Sequence, residues 1–203
     1  PLGSAVEASV SILKSLLQSR LLVTKASREA YGCGPGADDE VVNTNRCILV
    51  LKGCLEYEVE GSVTHVRKHT LIYVPAWVRR EWHVSKARTC EILWCEFSAQ
   101  LEERGQDTLF YNSKIDMDLE ERCLTRIADL WNEFSRQQPR SAPGRGISSV
   151  ADPFLQLEME GELKAMLARF WPGALPWHRQ QATQPMGRME VKEVISWLEA
   201  HYR

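Results

Sequence analysis

Several things are scarce in this 203-residue chain, and each scarcity closes off a class of function. There is no excess of charge: 25 Lys and Arg stand against 27 Asp and Glu, a net −2. Binding a phosphate backbone needs a clustered basic surplus, so this segment is not expected to hold nucleic acid by itself. No apolar run approaches the roughly 18 residues of a membrane-spanning helix. The six cysteines, Cys33, Cys47, Cys54, Cys90, Cys95 and Cys123, include no Cys-x-x-Cys pair and no zinc-like spacing. Four of them sit in or beside strand-like stretches, where a free thiol behaves as a small buried hydrophobe. Reduced, structural thiols and a cytoplasmic location are the expectation. Ser, Cys and His are scattered without diagnostic spacing, which leaves hydrolase chemistry unsupported.

At 44% hydrophobic residues the chain can bury a sizeable core. Pro1 to Ser4, "PLGS", reads as a protease-cleavage scar and is left out of fold reasoning. "AVEASVSILKSLLQSR" has neither the basic start nor the continuous apolar stretch of a signal peptide. Its Val6, Val10, Leu13 and Leu17 share one face of a short amphipathic helix. From about Leu21 to Phe97 the pattern is that of strands: "LLVTKAS", "CILVLKG", "CLEYEVEG", "SVTHVRK", "TLIYVPA", "REWHVS" and "CEILWCEF" are short, β-rich and bounded by turn-formers. "LEYEVEG" alternates strictly, with Leu55, Tyr57 and Val59 on one face and Glu56, Glu58 and Glu60 on the other, before a tight turn at Glu60-Gly61-Ser62. At least six short-linked strands predict a closed barrel or sandwich. "YGCGPGADDEVVNTN" is the one long loop of this half, a surface excursion suited to a rim or lid.

After Phe97 the period becomes helical. Leu119, Cys123, Ile127, Leu130, Trp131 and Phe134 form a stripe at spacings of three and four. Such a stripe packs either on its own domain or on a second protomer. "QQPRSAPGRGISSV" breaks the chain as a linker does. Asp152-Pro153 predicts a helix start, since Asp caps and Pro is tolerated at the first helical position. Leu163, Met166, Leu167, Phe170 and Trp171 continue one face until Pro172-Gly173 stops it, and Trp171 and Trp177 are expected to anchor the following linker against the body. "GRMEVKEVISWLEAHYR" then aligns Val191, Val194, Ile195, Leu198 and Tyr202 in a further helix.

This order of parts resembles an AraC-type bacterial transcription regulator. The likeness rests on "ILVLKGCLEYEVEG" with Gly53, on "HTLIYVPAWVRREWHV" where an apolar strand ends in Pro, on "EILWCEFS" closing at Phe97, and on "VKEVISWLEAHYR", which looks like the first helix of a DNA-binding domain. It covers most of residues 20–203 and is one of pattern rather than of an invariant motif. It implies an α+β chain in which a cupin-like β-barrel of the jelly-roll type, residues 5–98 with the N-terminal helix, precedes a helical dimerisation or packing segment at 99–172. A linker at 173–188 and the first helix of a DNA-binding domain at 189–203 follow, so that the chain reads as a regulator cut before its helix-turn-helix units. Homodimerisation through Leu119, Cys123, Ile127, Leu130 and Trp131 is implied, with DNA engaged only through the missing domain.

One departure matters. Metal-dependent cupins use a His-x-His and a Glu on one strand pair and a further His after a Pro-x-Gly turn. Here the turn is Pro75-Ala76-Trp77, and Arg79 stands where that last His would be. Arginine does not deprotonate in proteins and is no routine metal ligand. His65 and His69 lie four apart on strand and turn, about 13 Å along an extended chain. No metal and no other cofactor is expected, nor catalysis. Period two places Arg79, Glu81 and His83 on one face and Arg80, Trp82 and Val84 on the other. With the family's registration the first set lines the barrel and, with Trp77 as a stacking surface, binds a small polar molecule such as a sugar or sugar derivative. The competing reading makes Arg79 and Glu81 a solvated ion pair with Trp82 in the core, and a one-residue slip exchanges the two. Trp94, Glu96 and Tyr57 are further pocket candidates, and Tyr73 is another tyrosine within reach of the interior. The leading functional expectation is a ligand sensor; a metal-dependent cupin enzyme and a barrel used only for dimerisation are the alternatives.

Overall fold

The computed structural model describes residues 13–15, 17–32, 34–35, 40–41, 43–59, 62–84, 89–99, 109–137 and 152–176. Its strands are β1 (Leu21–Tyr31), β2 (Gly34–Pro35), β3 (Glu40–Val41), β4 (Asn45–Lys52), β5 (Cys54–Val59), β6 (Ser62–Arg67), β7 (Thr70–Val74), β8 (Arg79–Val84), β9 (Cys90–Ala99), β10 (Phe110–Asn112) and β11 (Leu175–Pro176). Two helices, α1 (Met117–Gln137) and α2 (Pro153–Phe170), lie between β10 and β11.

The strands pair as one long hairpin folded on itself. Its innermost rung is β5 on β6, registered Val59 to Ser62 as the "EGS" turn requires; outside it β4 pairs β7, β2 and β3 pair β8, and β1 pairs β9, all antiparallel. Additional pairings of β4 with β9 and β5 with β8 roll that hairpin into two sheets. The first runs β1-β9-β4-β7-β10-β11 and the second β2-β8-β5-β6. Nested antiparallel rungs wound into two facing sheets make a jelly roll. The α+β expectation holds, with the barrel first and the helices after it.

Two cores result. Between the sheets, Ile48, Val50, Leu55, Tyr57, Val66, Ile72, Val74, Trp82, Val84, Ile92 and Trp94 are all buried. On the other side of the first sheet, Leu21, Val23, Cys47, Leu49, Tyr73, Leu93, Cys95 and Phe97 pack under α1 and α2. This explains the unbroken apolar run in β4: its residues alternate between two buried faces, so neither face is polar. The strict alternation of β5 has the opposite cause, since Leu55 and Tyr57 are buried while Glu56 and Glu58 look outward. Gly53 joins β4 to β5 at φ 80°, and a Cβ there would lie 2.2 Å from the Thr89 carbonyl oxygen. No other residue fits both constraints.

Both helices start at an aspartate, at Asp152 as predicted and at Asp116 without a prediction. Asp116 Oδ1 accepts from Leu119 N at 3.1 Å, and Asp152 Oδ1 accepts from Phe154 N at 2.9 Å with Pro153 at the first position. A 3-10 turn at Trp171–Gly173 ends α2. Trp171 sits 5.0 Å from the Tyr73 ring and 5.5 Å from Phe110, the anchoring expected of it, whereas Trp177 lies outside the described residues. Of the N-terminal stripe, Leu13 packs on the helix-side core and Leu17 is exposed; Val6 and Val10 lie outside the described residues, as do residues 1–4, 138–151 and the expected linker and helix beyond 176.

The stripe expected as a dimer seam is consumed within the chain. Cys123, Ile127 and Leu130 are buried on α1 against β1, β9 and α2, and Leu119 and Trp131 are half-buried on the same helix. Glu120, also buried, takes both Arg169 Nε (2.8 Å) and Nη2 (2.9 Å) from α2, which locks the two helices together. A seam through these residues would have to open the core. The physical reason is the size of the first sheet: its outer face is apolar and must be covered, and α1 is the nearest cover.

Candidate ligand-binding site

β8 settles which face looks inward. Arg80, Trp82 and Val84 are 1%, 5% and 3% exposed, while Glu81 and His83 are half-exposed on the outer face. The family registration therefore had the strand reversed, and Glu81 and His83 do not line the interior. His83 instead contacts Glu56, whose other carboxylate oxygen lies 3.5 Å from His65 Nδ1, in a row across β8, β5 and β6. The side chain of Arg79 lies outside the described residues. Trp77 is 67% exposed at the β7–β8 turn with φ 65°, outside the cavity described below. That turn is held from beneath by Asn45, whose Oδ1 accepts from Ala76 N at 3.1 Å and from Tyr73 Oη at 2.8 Å. Tyr73 thus serves the helix side, where burial pushes its phenol far up; Tyr57 is the tyrosine that reaches the interior.

Inside, the polar chemistry comes from the residue next to the expected one. A buried guanidinium is stable only when paired and hydrogen-bonded. Arg80 donates through Nη2 to Glu96 Oε1 at 2.9 Å and through Nη1 to the Thr44 carbonyl at 3.3 Å. Arg46, from β4, donates to the same Glu96 oxygen through Nε (2.9 Å) and Nη2 (2.5 Å). One carboxylate oxygen on β9 thereby ties β4 to β8 across the barrel. Glu96, a predicted pocket residue, is the centre of that tie and does not line the cavity.

The cavity lies beside it, ≈ 210 Å³ in volume, and is lined by Lys25, Glu29, Tyr31, Arg46, Ile48, Leu55, Trp82, Ile92 and Trp94. Of the predicted residues Trp94 lines it. The β1 contribution depends on a register irregularity between Val23 and Lys25. Leu21 and Val23 face the helices before it and Ala26 does so after it, which turns Lys25, Glu29 and Tyr31 towards the second sheet. Tyr31 meets the Trp82 ring edge-on at 4.4 Å. The Lys25 ammonium and the Arg46 guanidinium each lie 5.0 Å from the Trp94 ring centroid, cation–π contacts that hold both charges at the cavity wall. Ile48, Leu55 and Ile92 make an apolar floor. Two cations, one carboxylate and three aromatic rings around a small apolar floor suit a compact molecule with a ring or C–H face and an anionic or strongly polar edge.

The parity of β8 would have located this side from the residues alone. Val78, Trp82 and Val84 share one face with Arg80, whereas Arg79, Glu81 and His83 are all polar, so composition favours the even face inward. Lys25, Glu29 and Tyr31 carried no such signal, because the shift in β1 inverts parity midway.

No protein-family model matches the chain, and no curated protein does. Solved structures resemble it loosely. A cupin-family protein with a double-stranded β-helix fold from Methanocaldococcus jannaschii is 14% identical over 37% of this chain and 78% of its own, at a TM-score of 0.33. A Cupin 2 conserved barrel domain protein from Salinispora arenicola is 9% identical over 39% and 75%, at 0.33. A cupin protein from Bacteroides fragilis is 12% identical over 40% and 70%, at 0.34. Similarity of this degree says nothing of function. The strand order above is what makes the barrel a cupin-type jelly roll.

Proposed function

We propose that the barrel is the ligand-sensing region of an AraC-type regulator, holding a small polar molecule of the sugar or sugar-acid class and passing its occupancy to an attached DNA-binding domain. The observation that carries this is the cavity between Trp82 and Trp94 with Lys25 and Arg46 at its wall. Its volume, below the usual 300–1,000 Å³ of drug-sized sites, limits the ligand to a small metabolite. Binding rather than catalysis is the reading because the charges at the cavity are Lys and Arg beside one carboxylate, a set suited to orienting an anion. Ligand biases an attached domain only by favouring one arrangement over another.

Calorimetry and tryptophan fluorescence against a panel of neutral sugars, sugar acids and small carboxylates test this. Saturable binding of a ring-bearing anion, lost in Trp94→Ala, is the expected result. Absence of binding across the panel at millimolar ligand would sink it, and stoichiometric iron, manganese or zinc in the purified protein would favour a metal-dependent cupin enzyme instead.

A further inference from the structure

One rung of the β4–β9 ladder carries a thiol on each strand. Cys47 and Cys95 stand directly opposite in the register, both on the helix side of the first sheet and both buried, at 1% and 0% exposed. Residues opposed on neighbouring antiparallel strands hold their Cα atoms roughly 4.5–5.5 Å apart. A disulfide spans Cα separations of about 4.4–6.8 Å, so a bond here needs little movement of the backbone. A small hydrophobe at either position would fill the same space, but filling space does not require a second thiol across the rung. The third thiol of this core is engaged elsewhere: Cys123 Sγ on α1 donates to the Glu162 carbonyl oxygen of α2 at 3.2 Å. Burial pushes the Cys47 thiol up, and the Cys95 thiol beside it adds to the rise.

The neighbouring rungs give the pair its consequence. Arg46 lies opposite Glu96 on one side of it, and Ile48 lies opposite Trp94 on the other. Side chains alternate along a strand, so these two rungs face the inter-sheet side, where Arg46, Ile48 and Trp94 line the cavity. The thiol rung is therefore held between two cavity rungs of the same strands.

We propose that Cys47 and Cys95 are a redox site, a cross-strand dithiol that closes to a disulfide under a two-electron oxidant of the hydroperoxide class and resets the strands carrying the cavity wall. The chemistry runs in two steps. One sulfur, as thiolate, attacks a peroxide oxygen: an S–O bond forms, the O–O bond breaks, and the alkoxide takes up the thiol's proton and leaves as an alcohol. The second sulfur attacks the sulfenic sulfur, the S–S bond forms, and hydroxide leaves with the second thiol's proton as water. Two electrons pass from the thiol pair to the peroxide. Burial keeps Cys47 protonated, so the closed fold resists oxidation, and the bond forms through openings of the helices over the sheet. The redox site stands whether or not the cavity holds the proposed ligand.

Peptide mapping tests it. The intact protein and a Cys33→Ser, Cys54→Ser variant are treated with tert-butyl hydroperoxide in native buffer, free thiols are alkylated after denaturation, and links are located by mass spectrometry. In both, the expected link is Cys47 to Cys95, reversed by dithiothreitol. Tryptophan emission of the folded protein is expected to shift on closure, not to shift in Cys47→Ala, and to shift far less in Trp94→Phe. A link that forms only in urea overturns the inference. So does a Cys54–Cys90 link in the intact protein with Cys47 and Cys95 both still alkylated, or a sulfinic acid in place of any link. These readings come from the unsubstituted core and hold even if Cys47→Ala fails to fold. A disulfide that leaves the emission unchanged, or changes it equally in Trp94→Phe, overturns the connection to the cavity wall.

Discussion

The first sheet divides two interiors that are built in opposite ways. On its helix side Tyr73, Phe97, Phe110, Phe170 and Trp171 interlock ring against ring beneath α1 and α2. On its inter-sheet side a cavity of ≈ 210 Å³ remains, walled by two tryptophans and bordered by charges. Both interiors draw on the same strands, and on β4 and β9 they draw on alternate residues of the same runs. A chain able to close one face this densely does not leave the other open for lack of apolar residues. That difference is the ground on which ligand binding is proposed for the inter-sheet side.

The largest expected effect breaks the charged tie beside that cavity. Glu96→Ala leaves Arg46 and Arg80, 8% and 1% exposed, without their shared acceptor. Removing one member of a buried charge group costs about 3–5 kcal/mol, and denaturant unfolding should show it. A loss under 1 kcal/mol would mean that the tie is dispensable and that apolar packing alone holds the sheets together. Smaller, and sharper as a comparison, is a pair of neighbours on β9. Leu93 faces the helices and Ile92 the cavity. Leu93→Phe overpacks a filled core and should destabilise by roughly 1–3 kcal/mol. Ile92→Phe grows into empty space, should change stability by less than about 1 kcal/mol, and should abolish ligand binding. Equal costs at the two positions would erase the distinction between the interiors.

How much of this was legible beforehand follows the same division. The strands of a barrel or sandwich and the helix start at Asp152-Pro153 were readable, because alternation, turn residues and caps are local signals; the jelly-roll winding was implied only by the family resemblance, and the start of α1 carried no predicted cap. The strip Leu119 to Phe134 was readable as an apolar face, but a face does not say what covers it, and the partner turned out to be β1, β9 and α2. The site was half legible. Trp94 stood out by composition, whereas Arg46 was hidden at the start of a strand dominated by the apolar run Cys47 to Leu51. Lys25 was hidden by the register irregularity that turns it inward. For β8 the family registration outweighed the parity of the residues themselves, and parity was right.

Thiol chemistry gives a further contrast. Burial raises Cys123, under α2, to about 12, and raises Cys90, at the inter-sheet core, to about 11, from an ordinary value of 9.0. Groups raised on folding stabilise the protein fully below the unfolded value, and that contribution fades as pH rises from about 9 towards the folded values. Stability, followed by denaturant unfolding, should therefore fall between pH 9 and pH 11 by an amount on the order of a few kcal/mol. Cys123→Ala should flatten the fall more than Cys90→Ala, since the shift is larger on the helix side. Stability independent of pH over this range would show that both thiols are more solvated than their burial implies.

The smallest effect on the fold is the most informative about the cavity. Lys25 is exposed, so Lys25→Gln should leave stability within about 0.5 kcal/mol of the parent. Its ammonium nevertheless sits 5.0 Å from the Trp94 ring, at the one wall where an anionic ligand edge would be received. Losing a partly solvated charge contact is worth about 1 kcal/mol, or roughly a fivefold weakening of affinity. Added salt should weaken binding to the parent more than to the variant, because it screens only a contact that exists. Lys25→Arg should restore both affinity and salt dependence. If Lys25→Gln binds the anion as tightly as the parent at low salt, the charge at the rim takes no part in recognition, and the apolar floor and the two tryptophans alone select the ligand.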